Sequence, residues 1–382
     1  MNNEVYKYKY FFGCLQRTGG VAMKRLLEAY GDEVLLYKVS DKEIKTCGLL
    51  TAKQADELVE RRKSIDIDRE YDIAVNKGVK MVALTDRDYP RRLVNINSLP
   101  YMLFYYGELP EEEKPSIAII GARMCSEYGR SMAKYFAEGL SRHGIQVVSG
   151  LASGIDGISQ QASIESGGRS FGILGSGIDI CYPASNRELY EKLKANGGII
   201  SEFPLGTKPI AQNFPMRNRI ISGLSDVILV IEAKPRSGTA ITVSMALEQG
   251  RQVYAVPGRI NDALSQGCNH MIYEGAGIAT DIDVILDELD RLCSVNPVCS
   301  DGMDTGSIPV SIKQEIAFEN EMERVIYQSI ENGYKDVEGI YQYIREHDEK
   351  NQEVTIEEIR ATLMYMTLRG IVKDSLGEYI IT

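Results

Sequence analysis

Phe214, Arg217, Asn218 and Arg219 stand together in the run N-F-P-M-R-N-R-I-I-S-G, which opens on Asn213 and ends on Gly223. Arginine forks grip phosphates, an aromatic ring stacks on a base, and an amide reads a base edge. These are the components of single-strand nucleic-acid binding. None of these side chains is a nucleophile or half of an acid–base pair. Phe214 precedes Pro215, which biases it to extended geometry and places its ring at a loop. A helix is then expected from Arg217, burying Ile220, Ile221 and Leu224. In the alternative reading Phe214 is core and the arginines solvate a helix start. The helix dipole disfavours positive charge there.

Four further stretches carry small residues where a strand gives way to a helix. They are Gly121 to Arg123 in GAR, Ser149 and Gly150 in SGLASGID, Gly175, Ser176 and Gly177 in GSG, and Ser237, Gly238 and Thr239 in RSGT. Glycine lets a backbone approach a ligand closely, and helix N-termini offer free N–H groups to an anion. Each loop alone is equally a tight strand-to-helix turn, and GSGID lacks the third glycine of a dinucleotide fingerprint. Along one sheet edge, the four point to phosphate. Arg123 either grips that phosphate or pairs with Asp156 or Glu127.

Catalytic groups do not assemble. His143 lies in a turn, His347 among acidic residues, and His270 has no serine or cysteine partner set. Asp156 and Glu202 near strand ends could act as acids or bases, or could cap helices and pair arginines. The seven cysteines are scattered without a CxxC, and Cys268 with His270 cannot fill a tetrahedral site. No metal or cofactor is implied, and free thiols suit a reducing compartment.

These residues need a frame to position them. The 382-residue chain exceeds one ordinary domain, and its 44% hydrophobic and 25% charged content is that of a soluble globular protein. No run of 18 apolar residues spans a membrane, and the start lacks a signal-peptide core, so the chain reads as cytoplasmic. The net charge is −11, yet residues 201–260 hold seven Lys/Arg against four Asp/Glu, while residues 311–382 hold eight against fifteen. An anion would dock in the middle of the chain.

Residues 1–84 show apolar spacing of helices, with glycine turns TGGVA (18–22) and CGLLT (47–51) of the helix-hairpin-helix kind. Such turns can offer N–H groups to a phosphate, or simply connect helices in a SAM-like bundle. Residues 85–293 alternate continuous apolar strands with amphipathic helices. This predicts an α/β, Rossmann-like doubly wound, mostly parallel sheet. Residues 294–316 lose periodicity and read as a linker. Residues 317–382 read as three helices and a hairpin, the outline of a winged helix. Its recognition-helix candidate begins with Glu357 and Glu358, so protein contact fits it better than duplex binding.

IAIIGAR, VVSGLASGID, GILGSGIDICYP, GGIISEFPLG, NFPMRNRIISGLS, VILVIEAKPRSGTAIT and GRQVYAVPG occur in that order. Together they closely resemble the DNA-processing protein A family (DprA, also called Smf) over roughly residues 85–280. The resemblance implies a non-enzymatic bacterial protein of natural transformation and competence. Such a protein binds single-stranded DNA, forms homodimers and loads the RecA recombinase onto strands covered by single-strand-binding protein. It places Arg123, the loops at Gly150 and Gly175, Phe214, Arg217 and Arg219 at the DNA pocket, with Lys208 and Ser237–Thr239 as neighbours. Gln160 stands where the family usually has histidine. The alternative is a Rossmann-like nucleotide-processing enzyme related to phosphoribohydrolases. Those carry a catalytic glutamate after an SGT-like turn, and PRSGTAIT has none in register.

Overall fold

Ile117 and Ile119 are buried in one apolar core and Ala118 and Ile120 in another. A strand buried on both faces has no polar positions to spare, which is why IAII reads as an unbroken apolar run. The computed structural model describes residues 3–295, 321–331, 334, 336–347, 354–369, 371–375 and 378–381. The expected linker 294–316 lies almost wholly outside them.

The strands of the large sheet are β1 (Lys80–Ala83), β2 (Met102–Gly107), β3 (Ser116–Ile120), β4 (Gln146–Ser149), β5 (Ser170–Ile173) and β6 (Gly197–Ser201). It continues with β7 (Val227–Val230), β8 (Gln252–Ala255) and β9 (Gly277–Ile278). Their order is β1-β2-β6-β5-β4-β3-β7-β8-β9. From β6 to β9 every pairing is parallel, and β2 joins β6 antiparallel, with β1 antiparallel to β2. The mostly parallel sheet is thus present. The antiparallel edge was not read from the sequence, because KMVA and MLFYYG lack the helix–strand alternation that marked the others.

Six helices precede or flank β1: α1 (Asn3–Gly13), α2 (Gly20–Tyr30), α3 (Glu33–Lys38), α4 (Asp41–Thr46), α5 (Ala52–Ser64) and α6 (Ile67–Asn76). Next come α7 (Glu127–Arg142), α8 (Ile155–Glu165), α9 (Arg187–Ala195), α10 (Asn213–Gly223), α11 (Gly238–Glu248), α12 (Gln266–Tyr273) and α13 (Ile282–Val295). Phe136 of α7, Ile155 of α8 and Leu289 of α13 pack on one face of the sheet. Ile220 of α10, Ala246 of α11 and Met271 of α12 pack on the other.

Phe11, Phe12 and Met23 from the first helices share a core with Phe104 of β2 and Leu193 of α9. The change from helices to strands falls between Asn76 and Lys80, inside the expected helical segment 1–84, and apolar contact runs across it. Residues Met1–Ser300 form one compact unit and Asp301–Thr382 a second. The second contains α14 (Glu321–Glu331), α15 (Val337–His347), α16 (Ile356–Leu368) and the antiparallel hairpin of β10 (Val372–Ser375) and β11 (Glu378–Ile381). Glu358 closes a capping box with Thr355, so one of the acidic residues at this helix start has a local role. Among the described residues no helix is long and apolar enough to cross a membrane.

Candidate nucleic-acid interface

β3 is followed on one side by β4, β5 and β6 and on the other by β7 and β8, so chain direction across the sheet reverses between β3 and β7. Doubly wound sheets bind ligands in the crevice beyond the strand ends at that reversal. A cleft of 690 Å³ opens there, lined by Gly121 and Arg123 after β3, Lys234 and Ser237 after β7, and Phe214 and Arg217 from α10.

Arg123 is exposed, and its guanidinium lies 5.6 Å from the centre of the Phe214 ring. Glu127, one of its expected partners, pairs instead with Arg130 at 3.4 Å. Among the described residues Arg123 enters no ion pair. Its loop is fixed from three sides. A Cβ on Gly121 would come 2.8 Å from Ile155. Gly154 holds φ 80° directly under the carbonyls of Ala122 and Arg123. The buried Glu232 carboxylate accepts from the Ser126 N–H at 2.9 Å and from its hydroxyl. Gly154→Ala is expected to cost roughly 1–3 kcal/mol, because φ is left-handed and the new methyl strikes that loop. Urea unfolding of the variant checks this; an unshifted midpoint would show that the loop yields freely.

Phe214 corrects the sequence expectation. It lies in the first turn of α10, which starts at Asn213, four residues before the expected Arg217. Pro215 is tolerated as the third helical residue because first-turn N–H groups have no intrahelical partner to lose. The half-buried ring of Phe214 meets that of Tyr182 at 5.6 Å, tilted by 44°. Gly175 sits behind it, where a Cβ would lie 3.0 Å from the ring.

Arg217 is only 4% exposed. Its Nη1 donates to the Gly150 carbonyl at 2.6 Å and to that of Ile173, tying α10 to the ends of β4 and β5. Its Nε donates to Asn218 Oδ1 at 3.1 Å. The Asp156 carboxylate faces it across Gly150 and accepts from the Gly150 N–H at 3.1 Å. A Cβ on Gly150 would fall 2.5–2.7 Å from both charged groups, so glycine is required there. Burial pushes the Arg217 guanidinium down to about 10 and the Asp156 carboxyl up, while their mutual attraction opposes both shifts. Arg217 stays cationic at neutral pH.

Arg219 is not brought to this cleft. Two positions along α10 turn it to the opposite side. There it is 8% exposed and pairs with Glu202, whose carboxyl burial raises. Ser149 and Ser176 are interior as well, their hydroxyls donating to Ile119 O at 2.7 Å and Ile180 O at 3.0 Å. Gly177 donates its N–H to Thr207 O at 2.8 Å. The GSG loop is thus a close backbone crossing, away from the cleft lining. Asn213 is buried at the start of α10 and donates to the carbonyl of Lys208, whose own side chain is exposed. Ser237, Gly238 and Thr239 do reach the cleft. Ser237 precedes α11 without capping it, so the first amides of that helix are left for a ligand, and its buried hydroxyl has no partner. Lys234 and Tyr182 also line the cleft and were not singled out as binding residues from sequence. Lys234 was visible in the local charge excess. Tyr182 gave no signal, since its partner Phe214 is distant in the chain.

The sequence profile of the family described as DNA recombination-mediator protein A matches residues 80–290. The Smf protein of Synechocystis is 32% identical over 81% of this chain and 78% of its own. This chain belongs to the DNA recombination-mediator protein A family. The crystal structure of DNA processing protein A (DprA) from Streptococcus pneumoniae is similar at 35% identity and a TM-score of 0.65, over 75% of this chain and 98% of that one. A structure of DNA processing protein A from Helicobacter pylori, concerned with that protein's single-stranded DNA binding mode, shares the fold. Its TM-score is 0.50 at 24% identity, over 56% of this chain and 96% of that one. In the present mediator, Gln160 is fully buried, accepting from Leu151 N at 3.1 Å and donating to Phe171 O at 3.0 Å. Its departure from the histidine usual in the family falls in the interior, where it joins the β4 end to β5.

Proposed function

We propose that this recombination mediator holds single-stranded DNA in the switch-point cleft and passes the strand to the RecA recombinase. One base stacks against Phe214 and Tyr182, and phosphates rest on Arg123, Lys234 and the first amides of α11. The observation that carries this reading is the pair formed by an exposed Arg123, which enters no ion pair among the described residues, and an aromatic ring 5.6 Å away, at the ligand edge of the sheet. A phosphate and a base have matching partners side by side. Arg217 and Asp156 brace the cleft from below, and Lys208 adds charge beside the start of α10. The single-stranded DNA binding mode of the H. pylori protein supports the ligand class.

A homodimer, a cytoplasmic location and displacement of single-strand-binding protein belong to the same proposal, by resemblance to the family. The acidic second unit, read as a winged-helix-like module, suits a contact with protein better than with duplex DNA, given its excess of carboxylates. The chemistry requires no catalysis, and PRSGTAIT offers no glutamate to a nucleotide.

Fluorescence anisotropy with oligo-dT, duplex and RNA ligands tests the reading. Oligo-dT is expected to bind tighter than duplex, with affinity falling by a log–log salt slope of about 0.7 per phosphate held. Equal duplex affinity ends the single-strand assignment. Incubation with nucleoside monophosphates is expected to release no free base; release would place the chain with the phosphoribohydrolase-like enzymes instead.

A further inference from the structure

Helix α10 has a second face. Opposite Phe214 and Arg217, its Met216 and Arg219 border another cleft, of 590 Å³, closed on its far side by the glycine turns before α2 and α5. The switch-point reading uses neither turn. Gly20 opens α2 in direct contact with the chain at Leu99, donating its N–H to the Leu99 carbonyl at 2.9 Å. A Cβ there would lie 2.7 Å from that oxygen. Gly19 precedes the helix with no side chain to cap it, and the first turn of α2 contains no carboxylate. Beyond the Gly20 bond, no side chain caps the Val21 and Ala22 N–H groups at the positive end of this 11-residue helix.

Among the described residues three buried polar groups lining the same cleft lack a partner. One of them, Glu202 Oε1, is an acceptor that Arg219 screens from the cleft by pairing with the other oxygen of that carboxylate. Thr18 is 1% exposed, and its Oγ1 has no hydrogen bond. Arg219 gives its Nη2 to Glu202, and its buried Nη1 has none. Buried donors of this kind are rare unless an unseen ligand or water satisfies them. Arg17 and Arg25 line the cleft with exposed side chains and pair with no carboxylate among the described residues. The turn already gathers one oxyanion on its outer side, where Glu57 accepts from the N–H groups of Gln16 and Arg17 at 2.8–3.3 Å. α5 is different: its capping box satisfies its own start.

We propose that this cleft is a second phosphodiester site, taking a backbone phosphate of the same single strand that occupies the switch-point cleft. Arg17, Arg25 and the Val21 and Ala22 amides of α2 meet the phosphate, with Thr18 and Arg219 behind them. The strand crosses α10 at Met216, which stands exposed between the two sites. The inference rests on the single-strand reading of the switch-point cleft, and oligonucleotide length separates the two.

The test is Arg17→Gln with Arg25→Gln in the full chain, measured by anisotropy across a salt series. Both side chains are exposed, and a short oligo-dT of about 6 nucleotides, enough for one site, checks that the variant remains folded. That oligonucleotide is expected to bind variant and parent alike. An oligo-dT of about 20 nucleotides is expected to lose about 0.7 from its log–log salt slope, the share of one phosphate contact. An unchanged slope with the long strand overturns the second site and leaves the first standing. A slope lost with duplex and kept with oligo-dT also overturns it, because the phosphate then comes from a different nucleic acid. If the parent binds neither length, the switch-point reading itself has failed.

Discussion

Arg217→Met is expected to lower the free energy of unfolding by about 3 kcal/mol, the size typical of leaving a buried charge without its partner. The methionine keeps much of the volume, so the loss reports the charge and its hydrogen bonds. Asp156 would remain buried with only backbone N–H groups to hold its carboxylate, and the carbonyls of Gly150 and Ile173 would each lose a donor. The chain has no tryptophan, so urea unfolding is followed by circular dichroism together with fluorescence from its 22 tyrosines. The folded fraction is expected to keep the parent's salt slope for oligo-dT, since a guanidinium committed to two carbonyls holds no phosphate. An unshifted unfolding midpoint combined with a slope shallower by about 0.7 would make Arg217 a direct phosphate ligand and reject its role as a brace.

Phe214→Ala and Arg123→Ala are expected to weaken the same complex in different ways. Removing the ring costs about 1–3 kcal/mol per stacked base, or roughly 5- to 150-fold in affinity at about 1.4 kcal/mol per decade. The salt dependence should stay as in the parent because no charge is lost. Removing the guanidinium should instead reduce the salt slope by about 0.7. Arg123 also sits over the ring, and Tyr182 touches it from another side. The double variant should therefore lose less than the two single losses added together, as neighbouring groups couple. Strict additivity would mean that the ring and the guanidinium meet different nucleotides.

The sheet was legible because a strand buried on both faces carries an unbroken apolar run, as in IAII and VILV. Loops between such strands then fall at one edge by the rules of parallel crossover. The antiparallel strands β1 and β2 escaped, since a strand paired antiparallel needs no crossover helix to follow it. α10 starts four residues before the sequence predicts, because Pro215 biases Phe214 away from helix in isolation. Burial of Ile220 and Ile221 and the anchoring of Arg217 outweigh that local preference.

The sequence by itself determined the family, through motifs held in order along the chain. It also determined the parallel sheet with its small-residue loops, and the cationic, aromatic character of NFPMRNR. Residue type and chain order carry that information directly. What only the tertiary structure decided is the work of each arginine. Arg217 and Arg219 are two residues apart on one helix and so face opposite ways. One props the cleft beneath Phe214, the other pairs with Glu202 beside the glycine turns, and Arg123, nearly a hundred positions earlier, is the cation left open to solvent. A linear sequence records that three guanidinium groups exist. Their division of labour follows from which of them the fold surrounds with carbonyls, which with a carboxylate, and which with water.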